Sequence, residues 1–181
     1  MDDLSIAEGA VVADIGAGGG WFTVRLARRV APHGIVYAVD VQPQMLDLIR
    51  RHAQRENVSG IVRTVLGTPN DPMLPRGIDV AIIVNAYREM ACAAKPTCEE
   101  PVALLSNVAR ALKPQGRIGI VDFNPGGGGP GPAHDERIDP DAVISAAAKA
   151  GLQLIRRKTV GPFGFQFLLI FSRPAGARTT Q

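Results

Sequence analysis

A glycine-rich segment between a strand pattern and a helix pattern constrains this chain more than any other feature. It reads Asp14-Ile15-Gly16-Ala17-Gly18-Gly19-Gly20-Trp21, directly after the apolar run 11–15 and directly before a helical pattern over 21–30. Glycines at such a turn let the chain reverse tightly and let a ligand approach the backbone closely. A dinucleotide-binding turn needs a third glycine where Trp21 stands. The spacing Asp-x-Gly-x-Gly-x-Gly therefore predicts a strand, a ligand-binding turn and a helix of an α/β fold, but no pyrophosphate site.

Short apolar, β-branched runs alternate with helical patterns along the rest of the chain, which is typical of βαβ units. The predicted strands are 11–15, 35–39, 61–66, 79–85, 117–123, 152–157 and 165–171. The predicted helices are 21–30, 43–55, 101–112 and 140–150, and 67–77 is predicted to be a loop. These elements predict an α/β sandwich with a doubly wound, mostly parallel, seven-stranded sheet.

The direction of the last strand follows from the length of the connection before it. Residues 158–164 are too few for a parallel crossover, which needs about a dozen residues or more, so the last strand is predicted to be antiparallel. The glycine- and proline-rich segment 124–132 follows the fifth strand and is predicted to be either a plain linker or a mobile flap. We predict one domain over 1–174 and a flexible tail over 175–181.

Composition narrows the class of partner. The chain has 181 residues, 46% of them hydrophobic and 20% charged, as in one soluble domain. Its formal net charge of +3 is too small and too scattered to indicate a nucleic-acid surface. No segment resembles a signal peptide or a membrane span, and Cys92 and Cys98 are too few for a disulfide scaffold. We expect a reduced, cytoplasmic protein that binds neither nucleic acid nor membrane.

A second acidic residue indicates the ligand. Asp40 ends the second predicted strand, about twenty residues after the glycines, where a carboxylate can accept hydrogen bonds from both hydroxyls of a ribose. Asp14, at the end of the first strand, is placed to meet a cationic group. Two acids and a glycine-rich turn select a ligand with an ammonium group and a ribose but no phosphates.

This arrangement resembles that of the class I S-adenosylmethionine-dependent methyltransferases. Two later landmarks agree: Leu112-Lys113-Pro114-Gln115-Gly116-Arg117 looks like the family's turn before the fifth strand, and Ile78-Asp79-Val80-Ala81 looks like its entry to the fourth strand. The resemblance runs from Val11 to about Phe171. It implies the cofactor S-adenosyl-L-methionine and cofactor contacts from Asp14, Gly16, Ala17, Gly18, Gly20, Asp40, Val41, Thr68, Asn70 and Asn85. Sequence does not choose between Asn70 and Asp71 as the acceptor for the adenine amino group, and either is equally a turn residue.

Candidates for proton transfer lie after the fourth strand and after the glycine-rich segment: Tyr87, Glu89 and His134. The alternative is that Tyr87 packs over the cofactor, that Glu89 pairs with Arg88, and that His134 is an ordinary loop residue. The sequence Asn85-Ala86-Tyr87 is not the Asn/Asp-Pro-Pro-Tyr motif for a flipped nucleic-acid base, and no His, Asp and Glu cluster has the spacing of a metal site. A small-molecule acceptor is therefore expected.

Only Met1 to Ala10 precede the first strand, so the N-terminal cap helices usual in the family are expected to be missing and the cleft to be open. The expected cover is then the glycine-rich flap, a second subunit in a homo-oligomer, or residues upstream of Met1 that are lost from this chain. The competing hypothesis is a non-catalytic or degenerate member of the fold that acts as a binding partner. The sequence does not identify the methyl acceptor or its reacting atom.

Overall fold

The computed structural model describes residues 1–91, 101–126, 129–161 and 164–174. The strands are β1 (Val11–Ile15), β2 (Ile35–Asp40), β3 (Val62–Leu66), β4 (Ile78–Val84), β5 (Leu112–Phe123), β6 (Gln153–Val160) and β7 (Gln166–Ser172). The α-helices are α1 (Trp21–Val30), α2 (Pro43–Arg55), α3 (Tyr87–Ala91), α4 (Val102–Ala111) and α5 (Pro140–Lys149). Single turns of 3-10 helix cover Asp2–Leu4 and His134–Glu136.

The seven strands form one sheet in the order β3-β2-β1-β4-β5-β7-β6. All neighbours pair in parallel except β7, which is antiparallel to both β5 and β6. The predicted doubly wound sheet with an antiparallel last strand is therefore confirmed. The strand order reverses between β1 and β4, and in open α/β sheets a ligand crevice opens at the carboxyl ends of the strands at that point.

Helices cover both faces of the sheet because alternate strand residues point to opposite sides. Ile83 and Ile120 belong to an apolar layer shared with α4 and α5. Ile82 and Val80 belong to a second layer, shared with α1 and α2. Each layer is nearly continuous in Val, Ile, Leu and Ala, as expected of strands that are buried on both faces.

Local sequence explains where the helices begin. In α2, Pro43 occupies the first turn, where its missing N–H costs nothing, and Leu46 and Ile49 are buried at helical spacing. In α5, the side chain of Asp139 caps the helix by accepting a hydrogen bond of 2.8 Å from the backbone N–H of Asp141. Both starts agree with the predicted positions.

Among the strands and α-helices, three differences from the prediction are larger than one residue. Strand β5 begins at Leu112 instead of Arg117, because the predicted turn 112–117 forms a bulge within the strand. Ile78 pairs with Leu112, and Val80 pairs with Arg117. Strand β6 continues to Val160, because it pairs with β7 along its whole length. Helix α3 was not predicted, since five residues are too few to show a helical period.

Parts of the sequence interpretation fall outside the described residues. Cys92, Cys98 and the predicted tail 175–181 lie there. None of the helices in the described ranges is both long enough and apolar enough to cross a membrane.

Candidate functional site

The glycine turn joins β1 to α1 and is tied to the neighbouring strand. The backbone N–H groups of Gly16 and Ala17 both donate to the carbonyl oxygen of Val39, at 2.9 and 3.0 Å. Gly16 and Gly18 have φ of +73° and +52°, in the left-handed region that favours glycine. A Cβ on Gly18 would meet no atom within 4 Å, so the turn leaves open space there. This geometry lets a ligand lie against the backbone.

Asp40, the last residue of β2, links its strand end to the glycine turn. Its Oδ2 accepts a hydrogen bond of 2.9 Å from the backbone N–H of Gly18, and its Oδ1 accepts one of 3.0 Å from the N–H of Gln42. The residue is 9% exposed and faces the crevice. Each carboxylate oxygen accepts up to two hydrogen bonds, so both retain capacity for a ligand.

Asp14 lies beneath the turn and not on the crevice surface. It is 2% exposed, and its Oδ2 accepts a 2.6 Å hydrogen bond from the hydroxyl of Thr23 on α1. The pKa of Asp14 is raised to about 6, chiefly by burial and to a smaller extent by the negative charge of Asp40, while the Thr23 hydrogen bond opposes the shift. The side chain therefore holds the first turn of α1 against the end of β1.

A cavity of about 510 Å³ opens at the carboxyl ends of β1, β2 and β4. Asp40 and Glu89 are the acidic residues of its lining, and no lysine, arginine or histidine is among the described residues that line it. The remaining surface is largely apolar. Such a cavity matches a ligand that carries positive charge and an apolar ring.

The structure brings six of the ten predicted cofactor residues to this cavity: Gly16, Gly18, Asp40, Val41, Thr68 and Asn85. The other four, Asp14, Ala17, Gly20 and Asn70, lie outside its lining. Gly20 instead allows α1 to approach α2, where a Cβ would come within 3.1 Å of Ile49. The carbonyl oxygen of Asn70 accepts a 2.8 Å hydrogen bond from Asn107 on α4, which makes Asn70 a loop anchor.

Three of the apolar lining residues that were not predicted belong to helices: Met45, Met90 and Leu104. They come from α2, α3 and α4. In the sequence they belong to ordinary amphipathic patterns, and nothing local separates a cavity residue from a core residue. Only the assembly of the three helices over the strand ends identifies them.

Asn85 directly follows β4 in an unusual backbone conformation. Its φ of +54° lies in a region that residues other than glycine rarely adopt. Such backbone conformations are frequent at functional sites. Its backbone N–H donates to the carbonyl oxygen of Val121 at 2.8 Å, and its Oδ1 accepts a 2.7 Å hydrogen bond from Nε2 of Gln166. The side chain is thus held at the edge of the cavity.

Of the three candidates for proton transfer, the structure places one at the cavity. Glu89, on α3, lines it. Tyr87 is 1% exposed and packs in the apolar layer with α4 and α5, which favours the alternative that it is a packing residue. His134 is exposed in a 3-10 turn, and its Nδ1 accepts a 3.1 Å hydrogen bond from the N–H of Gly126.

The predicted flap is described at residues 124–126 and 129–132, and these contain neither helix nor strand. Arg137 connects its two ends. Nη1 of Arg137 donates to the carbonyl oxygen of Asn124, and its Nε donates to that of Pro132, both at 3.1 Å. These contacts hold the ends of the segment close together beside the end of β5.

Comparison with known proteins shows several similarities. Residues 12–116 match a family described as "Methyltransferase domain". The chain is 32% identical over 124 residues to an uncharacterized methyltransferase of Mycobacterium tuberculosis, a match that covers 67% of this chain and 43% of that protein. It is 31% identical over 158 residues to a catechol O-methyltransferase of the same organism, a match that covers 84% of this chain and 64% of that protein. The chain thus spans less than half the length of the first of these relatives.

The architecture also resembles a solved structure. The crystal structure of a SAM-dependent methyltransferase from Aquifex aeolicus superposes with a TM-score of 0.83, with 24% sequence identity, and the match covers 94% of this chain and 85% of that one. At this identity the likeness concerns the fold. The matched family region, 12–116, contains the glycine turn, Asp40, Asn85 and Glu89.

Proposed function

Because the chain belongs to the class I S-adenosylmethionine-dependent methyltransferase family, we propose that it binds S-adenosylmethionine in the 510 Å³ cavity and transfers the methyl group to a small-molecule acceptor. The observation that carries the proposal is the hydrogen bond from the backbone N–H of Gly18 to the carboxylate of Asp40. It joins the glycine turn and the carboxylate that we assign to the ribose in one wall of the cavity. One relative, the catechol O-methyltransferase, is named for a small molecule.

The residues present fit this cofactor in charge and in shape. S-adenosylmethionine carries an ammonium and a sulfonium group, and the cavity lining offers carboxylates from Asp40 and Glu89. Asp40 retains hydrogen-bond capacity for two ribose hydroxyls. Val41, whose side chain is exposed, and Thr68 both line the cavity, and we assign them to the two faces of the adenine ring. The open space beside Gly18 leaves room for the methionine part.

When bound, S-adenosylmethionine supplies a methyl carbon that forms a bond to the acceptor while its bond to sulfur breaks, the electron pair staying on sulfur in the product S-adenosylhomocysteine. The residues of this chain contribute alignment and exclusion of water. Asn85 and Glu89 follow β4 and line the same cavity as Asp40, and we assign these two residues to the acceptor side of the site. Glu89 is the residue we assign to take the proton of a hydroxyl or amine acceptor.

Two measurements test the proposal. Isothermal titration of the protein with S-adenosylmethionine is expected to show one site, and a panel of thiol, amine, phenol and carboxylate acceptors is expected to yield S-adenosylhomocysteine with at least one member. Absence of binding at millimolar cofactor would refute the proposal. Binding without turnover on any acceptor would instead favour a non-catalytic member of the family.

Replacement of Asp40 is the sharpest single test. Asp40→Ala removes the acceptor for the ribose hydroxyls and for the Gly18 N–H, so we expect S-adenosylmethionine binding to weaken by about 1.5 to 3 kcal/mol. The matched control is Asp47→Ala, an aspartate on α2 whose side chain is paired with Arg50 at the surface. Both proteins are checked for folding by circular dichroism. An affinity of Asp40→Ala within about twofold of the parent would remove Asp40 from the site.

A further inference from the structure

A second cavity, of about 360 Å³, lies on the α1 face of the sheet over the ends of β4, β5 and β7. At about 30 Å³ for each molecule of liquid water, it has the volume of about twelve waters. Its walls are mainly apolar and include Trp21, Phe22, Val84, Val121 and Leu168. It is large enough for a compound with one or two rings.

Asn85 lines both this cavity and the cofactor cavity. The two cavities therefore share a wall residue at the carboxyl end of β4. A molecule in the second cavity approaches that point from the side of the sheet opposite α4 and α5. The position is suitable for a methyl acceptor and not for a second part of the cofactor.

The polar groups at the junction are neutral. Asn85 and Gln166 are joined by a 2.7 Å hydrogen bond, and both side chains line the second cavity. Two carboxamides in this arrangement still offer free N–H donors and free oxygen lone pairs. A hydroxyl group, which both donates and accepts, matches this pair.

Formal charge is scarce in the described lining of this cavity. Its charged side chain is that of Asp3, whose carboxylate is paired with both Arg156 and Lys158, at 3.1 and 3.0 Å. Moving an unpaired carboxylate or ammonium from water into an apolar cavity is costly. The cavity therefore discriminates against acceptors that carry a formal charge on the inserted part.

From these observations we infer that the acceptor is a neutral, hydroxyl-bearing ring compound, held in the second cavity with its hydroxyl group at the Asn85–Gln166 pair. The inference rests on the proposed function for its chemistry. The acceptor oxygen forms the new bond to the methyl carbon while the bond from that carbon to sulfur breaks, and we assign the proton to Glu89, the carboxylate of the adjoining cofactor cavity. The site for the ring is independent of the cofactor and can be tested without it.

Trp21 provides the probe. It is the single tryptophan of the chain, it is 58% exposed, and it lines the second cavity, so its fluorescence reports occupancy directly. We would titrate p-cresol, toluene, p-toluate and p-methylbenzylamine, which share a ring and differ in one substituent. We expect saturable binding of p-cresol, with an affinity at least about tenfold above those of the two charged compounds. Equal or tighter binding of either charged compound would overturn the inference.

Two pairs of variants test whether p-cresol binds in the second cavity and at the Asn85–Gln166 pair. Val121→Phe fills the second cavity and is expected to weaken p-cresol binding at least about tenfold, whereas Val65→Phe makes the same change at a partly buried strand residue outside the cavity and should have no effect. Gln166→Leu should reduce the preference for p-cresol over toluene, and Gln153→Leu, at an exposed strand glutamine, should not.

Cofactor titration of the same proteins separates the two proposals. Normal S-adenosylmethionine binding by Val121→Phe, with loss of p-cresol binding, supports the acceptor cavity. Normal p-cresol binding by Val121→Phe contradicts it and leaves the proposed function standing. Failure of the parent to bind S-adenosylmethionine, with p-cresol binding as expected, would count against the proposed function alone.

Discussion

Asp14 is a residue whose ionisation opposes folding. Its pKa is about 6 in the folded protein against an ordinary 3.8, chiefly because the carboxyl is buried. Between these values the folded state holds a proton that the unfolded state has released. The free energy of unfolding therefore decreases as the pH rises through this window, and the loss is complete above about pH 6.

Asp14→Asn should remove this loss. The amide retains an oxygen that can accept the hydrogen bond of Thr23 but cannot ionise. We expect the variant to be more stable than the parent by roughly 2 to 3 kcal/mol at about pH 7, with the difference vanishing near pH 4. Urea unfolding at several pH values measures it.

Burial also raises the pKa of Asp122, but this effect is present in both the parent and the Asp14→Asn variant and cancels in the comparison. A stability difference between parent and variant that is the same at about pH 4 and about pH 7 would show that Asp14 keeps an ordinary pKa in the folded protein.

At the scale of elements, α3 carries two residues that are close in sequence but lie in different environments. Glu89 lines the cofactor cavity, and Tyr87 points into the core. If Glu89 takes the acceptor's proton, Glu89→Gln should lower turnover by about tenfold to a hundredfold and leave S-adenosylmethionine binding nearly unchanged. Tyr87→Phe should lower turnover by less than about tenfold.

Steady-state rates and isothermal titration on both variants test the assignment of Glu89 as the proton acceptor. Glu136→Gln is a matched control at an exposed glutamate. Undiminished turnover of Glu89→Gln on a hydroxyl acceptor would eliminate Glu89 as the base. A fall in cofactor affinity as large as the fall in turnover would instead make Glu89 a binding residue.

The packing of the first 3-10 turn against β5 depends on one glycine. A Cβ at Gly119 would lie 2.7 Å from Cδ1 of Leu4, closer than atoms pack. Gly119→Ala is therefore expected to destabilise the protein by about 1 to 3 kcal/mol. Combined with Leu4→Ala, the destabilisation should be at least about 0.5 kcal/mol smaller than the sum of the two single changes, because the clash is then absent.

A double-mutant cycle by urea unfolding measures this coupling between the 3-10 turn and the strand. Additivity within the error of the cycle would show that Leu4 and Gly119 do not share a packing contact in solution. Because Leu4 and Gly119 both line the second cavity, the p-cresol titration of the same variants also reports how this packing contact affects binding in that cavity.

At the scale of the whole molecule, two apolar layers share a single sheet. Ile49 on α2 belongs to one layer, and Leu105 on α4 belongs to the other. Because every strand contributes its backbone to the same hydrogen-bonded sheet, loss of one layer exposes the strands that support the other. We expect unfolding to be a single cooperative transition.

Ile49→Ala and Leu105→Ala should each lower the free energy of unfolding by about 2 to 5 kcal/mol. Trp21 lies on α1, the helix that covers the face of the sheet opposite Leu105, and its fluorescence should follow the same transition as circular dichroism in both variants. A fluorescence midpoint in Leu105→Ala that stays at the parent value, while the circular dichroism midpoint falls, would show that the layers unfold independently.

The class of fold and the centre of the candidate site were predictable from the sequence alone. Alternating apolar runs and helical patterns are local signals, and the short connection before the last strand left only an antiparallel arrangement. The glycine turn and Asp40 were predictable for the same reason, since each stands at the end of a strand and parallel strands bring such ends to one edge. The structure places both in the wall of one cavity.

Only the tertiary structure decided which neighbouring side chains face that cavity. Glu89 and Tyr87 are two residues apart, and their opposite environments follow from how α3 packs against the sheet. Asn85 and Gln166 are far apart in the chain, and the antiparallel return of β7 beside β5 brings them within 2.7 Å. A pattern along the chain encodes burial and periodicity, but contacts between distant elements arise from packing, and the acceptor side of the site consists almost entirely of such contacts.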